Sequence, residues 1–142
     1  IIIMGRLLGI DHGQKRIGLA ISDPGKVISK PLQTLKFSNI ERFIIDLTKI
    51  IDEQNIEKII IGKPLGMSGN ETDQTQKVKK FIKALRKSIK VPCEMIDERL
   101  SSISAKKSLI TIGVKTGHNK SRVDETAAAI FLQHYLDKTN YK

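Results

Sequence analysis

The chain has 142 residues, 39% hydrophobic and only 4% aromatic, enough for one domain with an aliphatic core of its own. Its single cysteine, Cys93, excludes an intrachain disulfide; "IIIMG" is too short and uncharged for a signal segment and no 18-residue apolar run exists, so the chain reads as soluble and cytoplasmic, with no membrane partner. The net charge is +10, and the stretch 77–122 carries all of that excess, with thirteen Lys or Arg against Glu94, Asp97 and Glu98. A one-sided cationic excess suits a polyanion such as nucleic acid, with a solubilising surface as the plainer alternative.

In chain order, 6–11 (RLLGID) and 16–22 (RIGLAIS) read as two strands of a hairpin joined by "HGQK". A third strand is expected near 30–36. "SNIE" fits a capping box with Ser38 as N-cap and Glu41 at N3, opening a helix with Ile40, Phe43, Ile44, Leu47, Ile50 and Ile51 at helical spacing. "KIIIG" (58–62) is a continuous apolar run, as in a strand covered on both faces. "KPLGMSGNET" is a loop. It is no phosphate-binding P-loop, because Pro64 follows Lys63 where Ser or Thr is needed.

A helix of about 15 residues comes next, its apolar stripe Val78, Phe81, Ile82, Leu85 and Ile89 opposed by Lys79, Lys83, Arg86 and Lys90. Val91 to Asp97 reads as a strand and 102–110 as a helix. The stretch 113–121 is polar and glycine-containing. Ser121 and Asp124 form a second cap for a last helix over 122–137, apolar nearly all round and therefore expected to be buried. The order predicts an α/β domain over 1–142, with 1–4 and 138–142 as tails. A mixed β-sheet of about five strands is flanked by helices.

Asp11 closes the first strand, Asp97 and Glu98 close the last, and Asp124 sits where the final helix begins. Sites in open α/β sheets gather at the carboxyl ends of strands. Converging carboxylates make a hard oxygen site for Mg²⁺ or Mn²⁺, and two such ions about 4 Å apart can clamp both oxygens of a phosphodiester displacement. Singly, each acid has a plainer reading. Asp124 can serve as the N3 partner of Ser121, and Asp97 or Glu98 can pair with Arg99. Asp11 is hardest to dismiss, because an acid ending a buried strand needs a partner. Lys15, Arg16, Arg99, Lys120 and Arg122 are the cations placed to hold a phosphate backbone. His12 beside Asp11 reads as a turn residue, His118 as exposed, and His134 as lying at the edge of the last helix. With so few aromatics, recognition by base stacking is disfavoured.

"GIDHGQKRIGLAISD", "IIGKPLGMSGNET", "DERLSS" and "VDETAAAIFL" occur in this order from about Arg6 to Leu136, and together they resemble the YqgF family. Members of that family go by the names Holliday junction resolvase and pre-16S rRNA nuclease. The resemblance implies an RNase H-like fold and a cytoplasmic, divalent-metal nuclease that processes the 5′ end of 16S rRNA in ribosome biogenesis. It puts the family's metal-binding acids on Asp11, Glu98 and Asp124, with Asp97 as a neighbour, and Mg²⁺ or Mn²⁺ as cofactor. Departures are Lys63 where the family commonly has Leu, Gly66 where it often has Asn, and Ser101-Ser102 in place of Thr-Thr. Lys63 and Ser102 join the residues expected to contact nucleic acid.

The implied partner is structured RNA, pre-16S rRNA foremost, with branched DNA as the alternative, bound by a monomer or a homodimer. Two rival readings stand beside it. "GIDHG" before a hairpin also resembles the phosphate-binding opening of the actin, Hsp70 and sugar-kinase group, although those proteins close two lobes around ATP. The other rival is a non-enzymatic RNA-binding assembly factor.

Overall fold

The structure, a computed structural model, describes residues 5–97 and 120–140, with side chains in the last stretch from Asp124 onward. Three strands come first: β1 (Arg6–His12), β2 (Arg16–Ser22) and β3 (Ser29–Lys36). They are followed by α1 (Ile40–Gln54), β4 (Ile56–Lys63), α2 (Asp73–Ser88), β5 (Cys93–Asp97) and, after the undescribed stretch, α3 (Lys120–Asn140). The helix expected over 102–110 and most of the polar stretch 113–121 lie outside the described residues.

The five strands form one sheet in the order β3-β2-β1-β4-β5. The hairpin strands pair antiparallel, whereas β1–β4 and β4–β5 are parallel. Central strands covered on both faces need continuous apolar runs, which explains why β1 and β4 read "LLGI" and "IIIG". The edge strand β3 is half-exposed and carries Lys30, Pro31 and Lys36, which discourage further pairing.

Helices α1 and α2 cover one face. Leu8, Ile10, Ile17, Leu19, Ile59 and Ile61 pack there against Phe43, Leu47, Phe81, Ile82 and Leu85. Helix α3 covers the other face, with Leu7, Ala20 and Ile60 against Ala128, Phe131, Leu132 and Leu136. This three-layer mixed sheet is the architecture expected from the element order.

The helix ends depart from the expected ones. The N-cap of α1 is Asn39, one residue after Ser38; its backbone is extended and its side chain accepts from the Arg42 amide at 2.8 Å. Helix α3 begins at Lys120 and runs to Asn140, past the expected 122–137 and into the stretch expected as a tail. Nor is it buried all round. His134, Asp137 and Lys138 face outward while Ala127, Ala128, Phe131 and Leu132 pack on the sheet.

Candidate functional site

Alternation along β1 decides which groups share a face. Leu8 and Ile10 point to the α1/α2 layer, so His12 does too, and its ring meets Phe81 there at 4.5 Å. Leu7 points to α3, and so do Gly9 and Asp11. In the β1–β2 ladder Asp11 pairs with Gly18, so the two lie on the same face, with Arg16 one diagonal step away.

Gly18 brings the third group in. A Cβ there would run into the Asp124 carbonyl group and come within 2.7 Å of the Glu125 amide nitrogen. The missing side chain therefore lets α3 rest its backbone directly on β2 beside Asp11. Arg16 Nε then donates to Asp124 Oδ2 at 3.1 Å, with both side chains about two-thirds shielded from solvent. Further along, Gly9 admits the Leu132 side chain and the Ala128 carbonyl in the same way. Sequence reading passed over Gly18. The available signal was a glycine inside an otherwise apolar strand, which marks a close approach of another backbone.

Asp11 and the Arg16–Asp124 pair thus lie on the same face at the carboxyl end of β1, although Asp11 and Asp124 are more than a hundred residues apart in the chain. Asp124 is the fifth residue of α3, not in its first turn, so it does not serve as the N3 partner of a cap at Ser121. Asp97 shares a face with Cys93 and Met95, on the α1/α2 side, away from Asp11. Glu98, Arg99 and Ser102 lie outside the described residues, as do the side chains of Lys120 and Arg122. Among the described residues no group of three His, Cys, Asp or Glu comes together as a metal site. Asp11 and Asp124, which share this face, are hard oxygen donors of the kind Mg²⁺ and Mn²⁺ prefer, and Arg16 offsets the charge of Asp124.

Lys15 is exposed in the hairpin turn, where its carbonyl accepts from the Phe37 amide at 2.9 Å. Lys63 lies on the α2 side and pairs with Glu71 at 3.2 Å. Glu71 also binds Lys79 at 2.6 Å and Gln76 at 3.0 Å. The Lys79 and Lys63 ammonium groups and the Gln76 amide hold its carboxyl down at about 2. The loop between β4 and α2 is folded for this purpose. Gly69 adopts φ 87°, its amide bonds the Gly66 carbonyl, and Leu65 and Glu71 bridge across the turn. On the α3 face Lys58 donates to Tyr135 Oη at 2.8 Å and pairs with Glu94 at 2.9 Å, which satisfies that cation internally.

The family model described as "RuvX: Holliday junction resolvase" matches residues 5–138. A Chloroflexus aggregans protein provisionally named pre-16S rRNA nuclease is 39% identical over 131 residues, covering 92% of both chains. One of the same name from Desulforamulus reducens is 39% identical over 132 residues, covering 93% of this chain and 96% of its own. Thermus thermophilus RuvC, solved in complex with Holliday junction substrate, superposes with a TM-score of 0.58 at 14% identity over 96% of each chain. The fowlpox virus resolvase, solved with Holliday junction DNA, gives 0.54 at 16% identity over 94% of this chain and 98% of its own. Five mixed strands between helical layers are an RNase H-like fold, and the chain belongs to the RuvX family.

Proposed function

We propose that this protein is a divalent-metal-dependent nuclease that trims the 5′ end of pre-16S rRNA in the cytoplasm. The observation that carries this reading is that α3 rests at Gly18, the cross-strand partner of Asp11, on the face Asp11 shares, which brings the Asp124 backbone there. The names of the relatives at 39% identity supply the substrate. Glu98 is the acid we assign as the third ligand. In support, Glu98 stands in "DERLSS", one of the four motifs by which the chain resembles the family.

Asp11, Glu98 and Asp124 would hold Mg²⁺ or Mn²⁺. When bound, such ions neutralise charge on the attacking and leaving oxygens. The protein's own groups position the substrate. Asp11 and Asp124, through the cation they would hold, would fix the place of the reacting phosphate at the strand end, and Arg16 orients Asp124 through its Nε–H. The exposed Lys15 in the adjacent turn offers an ammonium to the neighbouring phosphate, with Arg99, Ser102, Lys120 and Arg122 as further contacts. Lys63 is held by Glu71 and would reach a backbone only by exchanging that partner. The displacement is in line at phosphorus: a water oxygen bonds as the bond to the 3′ oxygen breaks, leaving a 5′ phosphate and a 3′ hydroxyl.

The family description and the RuvC likeness favour one second reading, the same acids acting on a branched DNA junction, which requires a two-fold dimer. The test incubates a precursor 16S leader RNA and a four-way DNA junction with wild type and Asp11→Asn, with Mg²⁺ or EDTA. Cleavage of the RNA that needs Mg²⁺ and falls by roughly a hundredfold or more in Asp11→Asn is the expected result. Cleavage of the junction alone moves the assignment to the resolvase. Equal cleavage by Asp11→Asn sinks the site, and binding without cleavage of either substrate favours an assembly factor.

A further inference from the structure

His12 follows Asp11 on β1 and leaves the sheet on the opposite side. There an open cavity of about 510 Å³ lies between the β1–β2 turn, the end of β3 and helix α2. Three of the chain's four phenylalanines gather at it. Phe81 and Phe37 stand edge-to-face at 6.1 Å, Phe43 backs both from below, and the His12 ring lies 4.5 Å from Phe81 and 5.9 Å from Phe37. His12 and Phe37 are only half-buried, so their rings form part of the wall. Ala84 leaves room beside them, and Lys77 and Lys80 stand at the rim.

The makeup of its walls distinguishes this cavity from a gap in the apolar core. The wall is aromatic, formed by His12, Phe37 and Phe81, and the mouth is cationic, with Lys77 and Lys80 exposed there. A flat ring linked to anionic groups satisfies both at once, and that is the chemistry of a nucleotide.

We propose that this cavity receives one unpaired base of the nucleic-acid substrate, stacked on Phe37 and His12, while Lys77 and Lys80 hold the adjoining phosphates. The proposal rests on the nuclease reading and adds to it a substrate feature. Asp11 and His12 are consecutive and project to opposite faces at the carboxyl end of the central strand β1. A nucleic-acid strand crossing that end places a phosphate at Asp11 and a nearby base at His12. The site therefore cuts beside an unpaired nucleotide rather than within an uninterrupted duplex.

The test uses the full chain in EDTA and duplexes with a short single-stranded arm, one set RNA and one DNA of equal sequence. Each arm carries 2-aminopurine at successive positions. Wild type quenches the probe at one position of the arm. Ala84→Phe, which fills the cavity, abolishes that quenching and weakens binding about tenfold, the scale of one lost base stack. Lys77→Ser/Lys80→Ser, a change of two rim side chains, weakens binding and lowers its salt dependence, and serves if Ala84→Phe does not fold. Quenching in the RNA arm alone, the DNA arm alone or both supports the pocket and reports whether it reads the sugar. No quenching at any position, or a folded Ala84→Phe that binds and quenches as wild type does, overturns it; so does a double variant that binds as wild type. Cleavage in Mg²⁺ by wild type and Asp11→Asn is scored separately. Asp11-dependent cleavage without quenching removes the pocket alone, and quenching with Asp11-independent cleavage removes the nuclease site alone.

Discussion

Gly18 sets how closely α3 lies on β2, and through that contact the position of Asp124. A methyl group there has backbone rather than a movable side chain in its way. We expect Gly18→Ala to lose ~1–3 kcal/mol in urea unfolding, the usual cost of forcing extra volume into a packed contact. Nuclease activity falls with it, because Asp124 moves with the helix backbone. Gly9→Ala is milder, since its nearest obstacles are the Leu132 side chain at 3.1 Å and the Ala128 carbonyl at 3.2 Å. Equal losses in the two variants would contradict this ordering. Cys93 gives an independent probe of the other layer. Burial pushes its thiol pKa up and outweighs the nearby Arg86 cation, so little thiolate exists near pH 7.5. Its alkylation by iodoacetamide is expected to follow global unfolding; rapid reaction in native buffer would refute this.

At the scale of elements, α2 both lines the aromatic cavity and carries Gln76 and Lys79, which bind Glu71. Its amino end is built by Thr72 and Thr75. The Thr72 side chain accepts from the Thr75 amide, and Thr75 Oγ1 accepts from the Thr72 amide at 2.9 Å and donates to the Pro64 carbonyl. Thr75 is wholly buried, so its partners have no water to fall back on. Thr75→Val keeps the volume but leaves the Thr72 amide and Pro64 carbonyl without it. A loss of ~1–3 kcal/mol in thermal or urea unfolding is expected, and a change below about 0.5 kcal/mol would show those groups are otherwise satisfied. The apolar stripe of α2 is plain in the sequence because burial of one helical face imposes a local period. The true start of α3 is not, because helix ends depend on a few hydrogen bonds rather than on a long pattern. Moving that start to Lys120 is what takes Asp124 out of a capping role.

Across the whole molecule, charge is organised as well as abundant. Glu71 binds Lys63, Lys79 and Gln76, which hold its carboxyl at about 2 against an ordinary 4.5. A carboxyl depressed in the folded state contributes its stabilisation in full above pH 4.5 and loses it as pH falls through about 2. Glu71→Gln should therefore be less stable than wild type at pH 7, the difference closing between pH 4.5 and 2. A gap that stays constant over that range in denaturant titrations would exclude the ion-pair network as its cause.

The sequence by itself determined the elements and the kind of chemistry. Periods of two and of 3.6, an acid at the end of a buried strand and a one-sided excess of lysine and arginine are all local properties, and they brought Asp11 and Asp124 forward as candidates. Only the tertiary structure decided who meets whom. The pairing of Asp11 with Gly18, the resting of α3 on that glycine, and the gathering of Phe37, Phe43 and Phe81 round His12 depend on contacts between distant segments, which no local pattern encodes. A composition poor in aromatics argues against base stacking. The fold answers by collecting the few it has into one wall, because a core packed from both faces of a sheet can concentrate large side chains wherever its layers leave room.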